Sequence, residues 1–156
     1  MMAAQQLPLP QPVVDELRAL GSPTARHLVA IQEHLAGGAR GRIVLPWCED
    51  CAKPHWYPSV LCPHCGSPNW SWRDMGTEAT LHSWTVVSHP MAPALRGHVP
   101  VVVGLAAPCA APSIRLVTAL RAEPGTALRI GQTLEAVSGP TAVGGQLLTF
   151  AVRTTE

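Results

Sequence analysis

The chain has 156 residues, enough for one domain with a small satellite, and its 47% hydrophobic content supplies a packed core. Its formal net charge is +1, from 11 basic and 10 acidic residues, which excludes a broad electrostatic footprint for duplex DNA or an anionic membrane. No apolar run approaches the roughly 20 residues that span a bilayer, and Met1 to Pro12 lacks the basic segment and apolar core of a secretory leader.

Taken in order, residues 1–22 are expected as a flexible tail. Its first dozen, MMAAQQLPLPQP, are proline-rich and aperiodic, and Asp15 to Leu20 offers a short helical turn that Gly21 ends. A helix is expected over residues 23–41. Ser22 can cap its exposed amides, and Pro23 at the first helical position needs no amide partner. Leu28, Ile31 and Leu35 fall on one face of this helix, and Gly37-Gly38 is expected to stop it. That apolar stripe must pack on the chain's own core or on a partner.

Residues 42–75 read as a ribbon. Arg42 to Trp47 is a strand that leads into CEDC-AKPHWYPSVL-CPHC, two CxxC knuckles separated by ten residues. The two-residue spacer lets both sulfurs of a knuckle converge on one ion. Zinc favours four such ligands, so Cys48, Cys51, Cys62 and Cys65 form its expected site. Close cysteine pairs in a chain without a secretory leader also point to a reducing, cytosolic compartment. Two disulfides, free thiols or a rubredoxin-like iron site are the alternatives. Four thiolates fill a tetrahedron, so one ion of this kind is structural rather than catalytic. His55 and His64 are not needed as ligands and are expected as exposed polar residues. Trp70 and Trp72 alternate along one strand face, suited either to a ribbon mini-core or to a contact surface.

After Gly76 the texture changes. Thr80 to Val87, Pro100 to Ala107, Ile114 to Leu120, Thr133 to Val137 and Gln146 to Val152 are short β-prone runs punctuated by Gly, Pro and Ser. Five such strands over residues 76–156 suggest a small barrel, with the five-stranded oligonucleotide/oligosaccharide-binding (OB) fold the natural candidate. The fold class is therefore mainly β: an N-terminal helix, a four-cysteine zinc ribbon, then an OB barrel. Cys109 stands alone between Pro108 and Ala110 and reads as a small buried or loop residue. No nucleophile elbow, phosphate loop or dinucleotide fingerprint is present. The most polar connection runs from His89 to His98, where Arg96 can meet a phosphate or carboxylate and His89 or His98 can hydrogen-bond a ligand.

The order of motifs resembles a known family. GRIVLPW precedes the first knuckle; YPSVLCPHCGSPNWSW, SWTVVSHP, VPVVVGL, LRIGQTLEA and LLTFAV follow. The likeness covers Thr24 to Arg153 and is to the zinc-ribbon plus OB-fold proteins of acyl-CoA metabolism, a former domain of unknown function. The chain departs from it at Thr77-Glu78, where the family often has a second glycine, and in its longer N-terminal extension. The resemblance implies a usually non-catalytic subunit that binds thiolase-fold acyltransferases or aldolases and helps to bind or channel their acyl-CoA. Leu28, Ile31, Leu35, Trp70 and Trp72 are then candidate partner contacts, and His89, Arg96 and His98 candidate acyl-CoA contacts. The rival reading is a single-stranded nucleic-acid binder, but the β half offers only Trp84 and Phe150 as stacking platforms and its arginines are scattered.

Overall fold

The computed structural model describes residues 11–20, 30–90, 93, 96–123, 125–140 and 146–153. Helix α1 spans Gln11–Leu20, so the stretch expected as flexible tail holds ten helical residues. Pro12 sits in its first turn, where no intrahelical amide is required, and the Gln11 side chain donates to Asp15 Oδ1 one turn on (3.0 Å). Residues 1–10 and 21–29 lie outside the described residues, and with them Leu28 and the expected start of the next helix.

Helix α2 spans Gln32–Ala39 and runs through Gly37 and Gly38, which were expected to end it. The reason is packing. A Cβ on Gly37 would lie 2.4 Å from Val44 Cγ2, and one on Gly38 would lie 2.7 Å from Leu148 N. The helix therefore touches the ribbon with one glycine and the barrel with the next. Close approach outweighs the roughly 1 kcal/mol by which glycine disfavours a helix.

Two strands make the ribbon sheet, β1 (Val44–Cys48) and β2 (Trp70–Asp74), antiparallel with Val44 opposite Asp74 and Cys48 opposite Trp70. Five more form the barrel: β3 (Glu78–Val87), β4 (Val101–Pro108), β5 (Leu116–Arg121), β6 (Thr133–Pro140) and β7 (Gln146–Val152). Their order is β3-β4-β5-β7-β6, closed by β6 against β3, and only the β5–β7 pairing is parallel. Each expected strand is present, shifted by up to three residues at its ends. Strand β5 shows the alternation most cleanly: Leu116, Thr118 and Leu120 are buried, and Val117, Ala119 and Arg121 are exposed.

Ribbon and barrel share one core. Ile43, Leu45 and Met75 belong to the same buried cluster as Leu81, Leu134 and Phe150. Ile43 exchanges backbone hydrogen bonds with Met75 and Gly76 at the junction (2.7 and 3.0 Å). Phe150 is fully buried, so it offers no stacking platform to a nucleic acid. Among the described residues no helix is long and apolar enough to cross a membrane.

Candidate metal centre

The two knuckles have the same local build. The amide of Cys48 donates to the carbonyl of Lys53, and that of Cys62 to the carbonyl of Ser67, five residues on in each case. The residue that follows each second cysteine has a left-handed backbone, Ala52 at φ 53° and Gly66 at φ 75°. This turn folds each pair back on itself and aims both sulfurs inward. Glycine adopts that conformation freely, whereas alanine is strained in it.

All four sulfurs lie within 4.8 Å of one another. Cys48 and Cys65 Sγ are 3.6 Å apart, and Cys51 and Cys62 Sγ are 3.7 Å apart. These separations are far longer than the ~2.05 Å of a disulfide. A tetrahedral ion with bonds of ~2.3 Å places its sulfurs about 3.8 Å apart, so the set fits a structural zinc ion. Without a cation the cluster resists ionising as a whole. Burial and the three neighbouring sulfurs push the Cys51 thiol up to about 12. For Cys62 burial acts in the same direction, but hydrogen bonds from the backbone amides of His64 and Cys65, together with those of the Cys48 and Cys51 thiols, outweigh it and bring the thiol down to about 6. A divalent ion supplies the charge that lets all four bind as thiolates.

The acidic pair between the first two cysteines ties the knuckles together. Asp50 accepts hydrogen bonds from Ser67 Oγ (2.5 Å) and Asn69 Nδ2 (2.9 Å), just beyond the second knuckle. Glu49 accepts from Ser71 Oγ (2.5 Å) and pairs with Arg73 (2.7 Å) on β2. Arg73 in turn lies over the Trp47 ring, 4.6 Å from its centroid. Neither carboxylate is singled out by the CxxC pattern. Their signal was the position itself, inside a knuckle, where a short acceptor reaches neighbouring hydroxyls and amides.

His64 is exposed as expected, its Nε2 3.1 Å from the Pro54 carbonyl. His55 is not: it is 2% exposed, and neither ring nitrogen has a hydrogen-bond partner among the described residues. Its ring meets Trp70 edge-on at 5.7 Å, and Trp70 meets Trp72 edge-on at 5.8 Å. The two tryptophans share one face and build the ribbon's own aromatic packing with a histidine whose polarity alone favours solvent. Burial, then repulsion from His64, lowers the His55 pKa and keeps its ring neutral.

The remaining candidates are dispersed. Ile31 and Leu35 are half-buried at the start of α2. His89, Arg96 and His98 are all exposed in the β3–β4 connection, parts of which lie outside the described residues. Cys109 is exposed in the turn after β4.

Comparison with known proteins agrees with this arrangement. Residues 35–71 match the family model described as the ChsH2 rubredoxin-like zinc ribbon domain, and residues 72–138 match the ChsH2 C-terminal OB-fold domain. A solved structure described as the Ltp2-ChsH2 (DUF35) aldolase is similar at TM-score 0.66 and 25% identity, over 79% of this chain and 94% of that one. A DUF35-family protein of unknown function from Sulfolobus solfataricus shares the fold at TM-score 0.55 and 15% identity, covering 92% of this chain and 96% of that one. A protein from Thermomonospora curvata, named a probable enoyl-CoA hydratase alpha subunit, is 34% identical over 64 residues. That match spans 41% of this chain and only 19% of the relative's length. With a four-cysteine ribbon, a five-stranded barrel and both halves matched in order, the chain belongs to the ChsH2 (DUF35) family of zinc-ribbon plus OB-fold proteins.

Proposed function

We infer that this chain is the non-catalytic accessory subunit of an acyl-CoA enzyme. It binds a thiolase-fold acyltransferase or aldolase and helps to bind or channel the acyl-CoA substrate. The observation that carries this reading is the four-sulfur cluster. A zinc ion with four sulfur ligands has no position left for water or substrate, so the metal-bearing module serves as scaffold. The solved relative described as a complex of ChsH2 with an aldolase supports the choice of partner. The Thermomonospora relative, named for an enoyl-CoA hydratase, supports the acyl-CoA context. On this reading each chain holds one zinc ion in the cytoplasm. The Trp70 and Trp72 face and the Ile31, Leu35 end of α2 meet the partner, and His89, Arg96 and His98 meet the CoA portion.

The test is to assay the purified, zinc-loaded chain on short and long acyl-CoA substrates, alone and with a thiolase-fold protein that co-purifies with it from the native host. Turnover is expected only with the partner. It should fall when Trp70 and Trp72 are both changed to alanine and zinc is retained. Thiolysis or aldol cleavage by the chain alone overturns the reading.

A further inference from the structure

Strand β3 is longer than the barrel needs. Its first residues, Glu78 to Thr80, pair with β6, and Leu81 exchanges backbone hydrogen bonds with Gly131 and Gln132 (2.7 and 2.8 Å). Beyond an irregularity between Leu81 and Ser83, the strand continues to Val87 with β4 as its single strand neighbour among the described residues. Strand β4 first meets β5 at Val103, so Val86 and Val87 with Val101 and Val102 form a two-stranded arm standing beyond the barrel. An isolated pair of strands is marginal in water and gains from a third.

The open edge, Ser83-Trp84-Thr85-Val86-Val87, carries none of the devices that protect free edges. It has no charge and no proline, and the irregularity lies before it rather than within it. His82 to Val86 are all exposed, with Trp84 at 37% and Val86 at 53%. Trp84 stands opposite Gly104, which leaves the indole without a side chain beside it on β4.

We propose that this edge pairs with the same edge of a second copy of the chain, antiparallel about a two-fold axis at Thr85. The residues favour that occupant because the segment is self-complementary. With Thr85 opposite Thr85, Trp84 falls opposite Val86 on one face and Ser83 opposite Val87 on the other. Aromatic with β-branched and threonine with threonine are stabilising cross-strand pairs, and no like charges meet. The register is also limited at both ends. Moving the axis towards Leu81 overruns backbone groups already bonded to Gly131 and Gln132, and moving it towards Val87 runs out of the strand towards Pro90. Centring on Thr85 uses all five free residues and joins the two arms into one four-stranded sheet. This inference is independent of the acyl-CoA partner.

The experiment uses the full zinc-loaded chain with Cys109→Ser to remove the exposed thiol. Directly opposed residues have Cα atoms about 4.5–5.5 Å apart, within disulfide reach. Thr85→Cys is therefore expected to form a disulfide-linked dimer in a glutathione buffer. Ser83→Cys and Val87→Cys should each stay free of cross-links alone and cross-link when mixed. In sedimentation the parent should run at twice its 16.5 kDa, and Trp84→Lys/Val86→Lys at 16.5 kDa with zinc content unchanged. A monomeric parent at every concentration, or Ser83→Cys cross-linking alone as readily as Thr85→Cys, overturns the proposal. Protection of the edge only by the enzyme partner, with the chain otherwise monomeric, overturns it too.

Discussion

The imidazole of His34 on α2 lies against the indole of Trp56 in the ribbon, with ring centroids 4.3 Å apart and planes inclined by 43°. Its Nδ1 is 2.8 Å from the carbonyl oxygen of Val44. A carbonyl only accepts, so Nδ1 carries the proton and His34 donates to β1. One side chain thus joins the helix to both the sheet and the loop of the ribbon. Burial lowers its pKa below 6.5, and the Val44 hydrogen bond only partly offsets this.

That shift sets a pH dependence. The unfolded chain takes up the His34 proton at higher pH than the folded chain does. Between the two pKa values the unfolded state therefore holds more protons, and stability rises with pH. The contribution is complete above 6.5 and is lost as pH falls from there through the folded value. Denaturation midpoints measured from about pH 7.5 to 5.5 should decline, and His34→Gln should flatten that decline while zinc stays bound. Zinc content is followed in parallel, because protonation of the thiols acts in the same direction. An identical decline in both proteins removes the assignment.

Cys48→Ser or Cys65→Ser should cost the metal and unfold the ribbon, because metal binding and folding are coupled. The measurement is zinc per chain by elemental analysis, expected near one in the parent, together with near-ultraviolet dichroism of the tryptophans. Full occupancy in Cys48→Ser/Cys62→Ser contradicts the site.

The two knuckles differ at one backbone position, Ala52 against Gly66. Ala52→Gly should raise stability by about 0.5–1 kcal/mol through relief of left-handed strain, less the entropy that glycine adds to the unfolded chain. Gly66→Ala should lower it by about 1 kcal/mol. Denaturant midpoints of the zinc-bound variants decide both signs.

Gly38→Ala puts a methyl group 2.7 Å from the backbone nitrogen of Leu148, where no flexible side chain can yield. The helix must lift from β7, at a cost of about 1–3 kcal/mol, even though alanine is the better helix former. Ala36→Gly, two positions earlier, separates propensity from packing: it should cost no more than about 1 kcal/mol. Both values come from chemical denaturation.

Arg96 is exposed in the β3–β4 connection, where its guanidinium can donate to a phosphate of CoA. Arg96→Ala should weaken acyl-CoA binding by the complex about ten- to a hundredfold, the range for a charged hydrogen bond. Unchanged affinity by calorimetry returns this connection to an ordinary solvated loop.

The metal centre was legible because it is local. A two-residue spacer and a left-handed turn bring each pair of sulfurs together wherever the segment sits, and one tetrahedral ion can then unite the pairs. The barrel strands were legible for a similar reason, since period-two patterning and Gly or Pro punctuation act over a few residues. Other features depended on distant atoms. Gly37 and Gly38 looked like a helix stop until Val44 and Leu148 were seen to occupy the space a side chain would need. His55 looked like a solvated ribbon residue until Trp70, fifteen positions away, was found against it. The parallel β5–β7 pairing, the shared core of Ile43 with Phe150 and the free edge of β3 likewise arise from closure of the sheet. Covalent spacing determined that the chain can gather four thiolates around one ion, whereas long-range packing decided which faces it buries and which edge stands open among the described residues.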